Sequence, residues 1–326
     1  MPNVKFRLED LAADQKNSPV ISGSSSKIHD LGFHIGKFLL RAPIMPASGC
    51  FGPELGRLIS VDELGAVVTK TVFADRRAGN PPKRISETYA GMVNSVGIPS
   101  IGLDGFLKTL APQYHSLPAP TIISIGGFSA SDFSYLAGVL SEHTEAFELN
   151  VSCPNLEQVG HEIGSDPGLI HEVVQAVRRA TDRALIVKLS PMVTSIAECA
   201  IAAQTAGADA LCVSNSIPCL PIDPKSWQPI LGNGVGGLSG PSIKPIILRL
   251  VRQAYNAVEI PIIGCGGIVE LSDVLEYIAA GASAVQLGTI NFSRPAAMVD
   301  IARQLEAWSE VNQILSHEDL LKRLVL

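Results

Sequence analysis

The sequence lacks any stretch approaching the eighteen or so uninterrupted apolar residues of a membrane-crossing helix. Its first thirty residues have no apolar core of the kind that marks a secretion signal. Charge is scarce: 17% of the 326 residues are Asp, Glu, Lys or Arg, the balance is −6, and there is no run of Lys or Arg. Without a basic cluster the chain offers no footprint for nucleic acid or another polyanion. With 46% hydrophobic residues it is also too apolar to be disordered. The six cysteines, at 50, 153, 199, 212, 219 and 265, form no C-x-x-C pair, which removes the usual zinc and iron–sulfur spacings. The expectation is a cytoplasmic protein that does not enter a membrane, holds no metal and has a substantial core. Most of its thiols should be reduced fillers, Cys199 and Cys212 being buried.

What the chain does have is a repeat. Short apolar runs alternate with longer amphipathic stretches: APIMP (42–46), GAVVTK (65–70), TIISI (121–125), AFELN (146–150), ALIVKL (184–189), ALCVS (210–214), IPIIG (260–264) and AVQLG (284–288). Each run is continuous rather than alternating, as expected for parallel strands covered on both faces. Helices are predicted near 130–143, 168–181, 193–206, 241–255 and 271–280. Gly207 and Gly281 follow two of them, where a left-handed cap turns the chain into the next strand. The length fits two domains or one α/β barrel. Eight strands with intervening helices favour a (β/α)8 TIM barrel over 31–326 as a single domain behind a polar leader (1–30), and an open doubly wound sheet is the rival. Gly- and Pro-rich excursions follow strand two (71–101) and strand six (215–240), on the face where barrel enzymes build their sites.

Polar residues gather just after the strands: Ala47-Ser48-Gly49, Lys70-Thr71, Asn150-Val151-Ser152-Cys153, Lys188, Ser214-Asn215-Ser216, Gly266-Gly267 and Gly288-Thr289. Glycines after strands seven and eight, each opening a helix, suit a phosphate held on backbone N–H groups. Gly232-x-Gly234-x-x-Gly237 spells a dinucleotide fingerprint, but no strand leads into it, so it reads as loop composition. Lys70 at a strand end can reach water. Lys188 lies deeper and needs an anionic partner, for which a bound ligand would serve. Cys153, in a loop among amides, is placed to exchange a proton. Glu162 and Asp166 read as solvated loop charges, and no His stands in a nucleophile or zinc pattern with Cys153.

These residues, in the order MPASGCFG (45–52), VTKT (68–71), NSVGIP (94–99), ELNVSCPN (148–155), VKLSP (187–191), GGLSGPSIKP (236–245), IIGCGGI (262–268) and QLGT (286–289), resemble the class 1 dihydroorotate dehydrogenases. The resemblance runs from about residue 41 to 295 and implies a (β/α)8 barrel that binds FMN and oxidises dihydroorotate to orotate in pyrimidine biosynthesis. It implies that Ala47, Ser48, Lys70, Thr71, Asn150, Lys188, Gly240, Gly266, Gly267, Gly288 and Thr289 hold FMN, the last four around the phosphate. Lys70, Asn94, Gly97, Ile98, Asn150, Asn215 and Ser216 would bind the pyrimidine and its carboxylate. Cys153 would be the base at C5 while hydride leaves C6 for flavin N5, and Lys188 would face negative charge on the flavin.

Segment 155–167 and the 232–245 loop are similar to the NAD-linked 1B type, which works with a second subunit carrying FAD and a 2Fe–2S cluster; NSVGIP is nearer the fumarate-using 1A type. Relatives are homodimers or larger. The chain departs from the pattern at Ser124, where asparagine is common, and at Pro218-Cys219, where a glycine turn is expected. Those departures leave open a flavin oxidoreductase acting on another dihydropyrimidine or cyclic amide. A silent scaffold is the third reading.

Overall fold

A computed structural model describes residues 30–152 and 163–326. Residues 1–29 and 153–162 lie outside the described residues, and with them Cys153, Glu162 and nearly all of the leader.

All eight expected strands form: β1 (Ile44–Pro46), β2 (Val67–Val68), β3 (Thr121–Ile125), β4 (Ala146–Asn150), β5 (Ala184–Leu189), β6 (Ala210–Val213), β7 (Ile262–Cys265) and β8 (Ala284–Leu287). Their order in the sheet is β1-β8-β7-β6-β5-β4-β3-β2, with every pairing parallel. The strands thus run round in chain order, and the Gly65 N–H donates to the Ile44 carbonyl at 2.9 Å, drawing the β2 segment onto β1. A doubly wound sheet would reverse its strand order and keep two open edges. The barrel is the correct alternative.

Successive strand residues point to opposite sides, so each strand feeds two cores. Outward residues such as Phe147, Leu149, Leu185, Val187 and Leu211 pack against the helices. Inward Ala146, Ala184, Ala210 and Ala284 form a small-residue layer near the strand starts, packed with Ile35, Phe38 and Leu40 of a hairpin (Phe33–Ile35 with Phe38–Leu40) that covers this end. The helices Ala130–Leu140, Pro167–Ala180, Ile196–Thr205, Lys244–Tyr255 and Leu271–Ala279 lie close to their predicted spans. Asp166 is more than a solvated charge. Its carboxylate accepts from the Gly168 and Leu169 N–H groups at 2.7 and 3.2 Å and caps the helix that Pro167 opens. Gly207 and Gly281 take φ of +104° and +107°, the positive-φ turns expected of them.

The two excursions are the part that composition did not foretell. Strands Ile85–Thr88 and Gly91–Asn94 from the first join Ile217–Cys219 and Gly236–Ser239 from the second in one antiparallel sheet. The Gly232 motif runs into a strand of this antiparallel sheet and does not turn from a strand directly into a helix, so it lacks the setting of a dinucleotide fingerprint. Gly237 runs so close to Ser216 that a Cβ would collide with the side chain. Pro218 sits on the edge strand, where a missing N–H costs no ladder bond.

Closure at Gly65 supplies a test. A Cβ there would run into the Ala42 carbonyl. Gly65→Ala should therefore destabilise the protein by about 1–3 kcal/mol, the usual cost of overpacking. The readout is the midpoint of urea unfolding, and an unchanged midpoint would contradict closure at this point.

Candidate active site

The C-terminal ends of the strands and the underside of the excursion sheet enclose a cavity of about 230 Å³. It collects nearly every residue that the sequence nominated. From the barrel rim come Ala47, Ser48, Lys70, Thr71, Asn150 and Lys188, and from the loops after β7 and β8 come Gly266, Gly267, Gly288 and Thr289. The excursions contribute Asn94, Gly97, Ile98, Asn215 and Ser216. Gly240 does not line the cavity itself but stands behind Gly267, whose added Cβ would lie 2.8 Å from the Gly240 carbonyl. Gly267 has φ +75° and Gly266 φ +150°, so this corner needs the freedom of glycine. Lys244 braces it by pairing with Asp273 at 2.6 Å, while Asp273 accepts from the Val269 and Glu270 N–H groups at the head of helix Leu271–Ala279. Gly288 opens only a short 3₁₀ turn (Thr289–Phe292), not the longer helix expected. Thr289 donates to Ser239 of the excursion sheet at 2.8 Å.

The amides are held in a fixed order. Asn150 Nδ2 donates to Thr71 Oγ1 at 3.1 Å, and Thr71 meets the Ser124 hydroxyl at 3.0 Å. On the other side Ser152 Oγ donates to Asn150 Oδ1 at 3.1 Å and accepts from Asn215 Nδ2 at 3.0 Å. Ser152, which the sequence reading did not nominate, therefore ties two cavity asparagines together. The signal was present, since it directly precedes Cys153 in a strand-end loop. Ser124 completes this chain from the fully buried side, and Pro218 and Cys219 do not line the cavity.

Below the cavity the barrel interior carries charge. Lys188 is only 5% exposed and Glu148 and Gln286 are fully buried. Lys188 Nζ donates to Gln286 Oε1 at 2.9 Å, Gln286 Nε2 donates to Glu148 Oε2 at 2.6 Å, and the lysine stands 3.8 Å from Glu148 Oε1. The anionic partner that Lys188 needs is thus supplied by the chain and not by a ligand alone. Burial pulls the Lys188 pKa down, but Cys212, Cys265 and Glu148 together hold it above the ordinary lysine value. Lys70, half-buried at the rim, is lowered by burial and then by Arg84.

Two cavity cysteines were also missed. Burial and Cys265 push the Cys50 thiol up to about 12. Cys265 is held below the ordinary thiol value, first by its hydrogen bond with Cys212 and then, against burial, by Lys188, whose ammonium donates to its sulfur at 3.9 Å.

Comparison with known proteins agrees with this architecture. Residues 31–308 match the family model described as dihydroorotate dehydrogenase. A protein of Trichlorobacter lovleyi named "Dihydroorotate dehydrogenase B (NAD(+)), catalytic subunit" is 45% identical over 282 residues, covering 85% of this chain and 93% of that protein. A protein of the same name from Geotalea uraniireducens is 42% identical over 300 residues, 91% of this chain and 98% of its own. One from Caldicellulosiruptor bescii is 39% identical over 293 residues, 89% and 98% respectively.

The two cavity thiols should react in opposite ways. In cofactor-free protein, where Cys212 and Lys188 lower the Cys265 thiol and burial raises the Cys50 thiol, a small alkylating reagent should reach half its maximal labelling of Cys265 at lower pH than of Cys50. Peptide mass mapping across a pH series reads the two curves, and a Cys50 curve lying at lower pH than that of Cys265 would contradict it.

Proposed function

The chain belongs to the dihydroorotate dehydrogenase family, and we propose on that basis that it oxidises dihydroorotate to orotate in pyrimidine biosynthesis with FMN as its cofactor. The observation that carries the reading is the gathering of the family's motif residues from eight separate chain segments into one cavity over a buried lysine.

The residues present fit FMN. The corner at Gly240, Gly266 and Gly267 leaves room only where a Cβ is absent, as a phosphate held by backbone N–H groups requires, and Gly288 and Thr289 adjoin it. Ala47, Ser48, Lys70, Thr71, Asn150 and Lys188 would hold the ring system, Lys188 supplying a cation for negative charge on it. When bound, FMN supplies the two-electron acceptor for the hydride that leaves C6 of dihydroorotate. The protein's own part is binding, orientation and proton transfer. Asn94, Asn150 and Asn215 offer paired donors and acceptors to a planar amide-rich ring, and Ser152 fixes the facing of two of them. Gly97, Ile98 and Ser216 close round the same ligand, and Lys70 meets its carboxylate. Cys153, as thiolate, takes the proton from C5, so turnover rises with pH as the thiol ionises.

The relatives' description as NAD(+)-linked catalytic subunits supports a second subunit that passes electrons to NAD; the FAD and 2Fe–2S cluster proposed for it are what the family resemblance implies. The chain would work with it in the cytoplasm as a homodimer or larger assembly; among the described residues no helix is long and apolar enough to cross a membrane. A different substrate was suggested by Ser124 and Pro218-Cys219. Ser124 completes the Thr71–Asn150 chain and the other two stand outside the lining, so neither feature favours that reading.

Turnover of dihydroorotate with an artificial acceptor, followed by the appearance of orotate, tests the assignment. Cys153→Ala should lower kcat by about 10²–10⁴-fold, the usual range for a lost general base, and should flatten the rise with pH. Full activity in that variant would remove Cys153 from its role.

A further inference from the structure

The barrel interior holds one more charged group than ligand binding explains. Lys188 lines the cavity, whereas Glu148 and Gln286 do not, being sealed beneath it on β4 and β8. The Glu148 carboxyl has only donors beside it: the Gln286 amide at 2.6 Å on one oxygen and the Lys188 ammonium at 3.8 Å on the other, which has no hydrogen bond of its own. Those are the surroundings of a carboxylate. Gln286 takes the nearer place on the lysine, 2.9 Å against 3.8 Å, and so holds the two charges apart. A direct contact would compensate the lysine more fully and turn its charge away from the cavity.

A buried ion pair is costly, and apolar residues of similar volume commonly serve a core as well or better. The fold therefore does not require Glu148, Gln286 and Lys188 in place of apolar side chains. Their arrangement does have one consequence at the cavity: the positive charge presented there is that of Lys188 less what its neighbours cancel, Glu148 at 3.8 Å and the Cys265 sulfur at 3.9 Å, and the Gln286 amide sets the share that falls to Glu148.

We propose that Glu148 and Gln286 are positioning residues that act through Lys188 to set the reduction potential of the bound cofactor. The inference rests on the FMN reading, because only a redox ligand over Lys188 would register the charge. Replacing the carboxylate by an amide removes the formal negative charge beside the lysine while Gln286 Oε1 at 2.9 Å and Cys265 Sγ at 3.9 Å still accept from its ammonium, and so favours the more negative, reduced form of the cofactor. Removing the bridging amide lets carboxylate and ammonium close on each other, which disfavours it.

The test is the midpoint potential of the FMN-loaded protein, measured by spectroelectrochemical titration, with FMN affinity of the apoprotein measured alongside. Glu148→Gln should raise the potential by about 30 mV, tenfold in the two-electron equilibrium. Gln286→Leu should lower it, and FMN affinity should change by less than the potential does. Opposite signs mark a charge effect, since simple loosening of the core would weaken FMN binding in both variants. An unchanged or lowered potential in Glu148→Gln overturns the proposal. If that variant does not fold, Gln286→Leu decides alone, and an unchanged or raised potential overturns it. A wild-type protein that takes up no FMN overturns the cofactor reading and this inference with it, an outcome distinct from a loaded wild type whose variants do not shift.

Discussion

The centre of this molecule is a lysine ammonium inside a parallel barrel. Lys188 stands on β5 with its head group among strand interiors, where a charge is costly without hydrogen-bond partners. Glu148 and Gln286 supply the match from β4 and β8, and so the charge can persist. That constraint reaches outward. The layer beneath must be small and dry, which the alanines at the strand starts and the Phe38 hairpin provide. The layer above must use the charge, and it is there that the cavity opens. Beside the Cys212 hydrogen bond, the same lysine lowers the Cys265 thiol, whose sulfur accepts from its ammonium at 3.9 Å, while desolvation raises the Cys50 thiol.

Over this base the excursions build a roof. The hydrogen bond from Asn94 Nδ2 to the Gly237 carbonyl joins residues 143 positions apart, and the sheet that contains it brings two loops over one cavity. Loops anchored in this way hold polar side chains as firmly as strands do, which is what a site recognising a planar amide requires. Below the roof, the Asn150–Ser152–Asn215 bonds leave neither amide free to turn over without losing a partner.

Much of this could be read from the sequence, and the parts that could not have identifiable reasons. TIISI, AFELN and ALIVKL match their strands residue for residue, because continuous apolar runs bounded by polar residues leave little choice of register. Barrel closure was beyond periodicity, which is the same for open and closed sheets; it depends on Gly65 meeting β1. Lys188 was visible as an oddity in an apolar run, and its partner was not sought inside the chain. Yet Glu148 in AFELN and Gln286 in AVQLG are oddities of the same kind, and inward parity places all three in one interior. The roof was hidden because its strands are short, rich in glycine and paired over long sequence separations. Cys153 was legible as chemistry and lies outside the described residues.

Binding of FMN over Lys188 and oxidation of dihydroorotate in this cavity, as proposed, can be read from one spectrum. The purified protein, loaded with FMN and kept anaerobic, is mixed with dihydroorotate while its visible absorption is followed. Prompt bleaching of the flavin bands, reversed by an added oxidant, is the result this account predicts. A flavin spectrum that stays oxidised would contradict it.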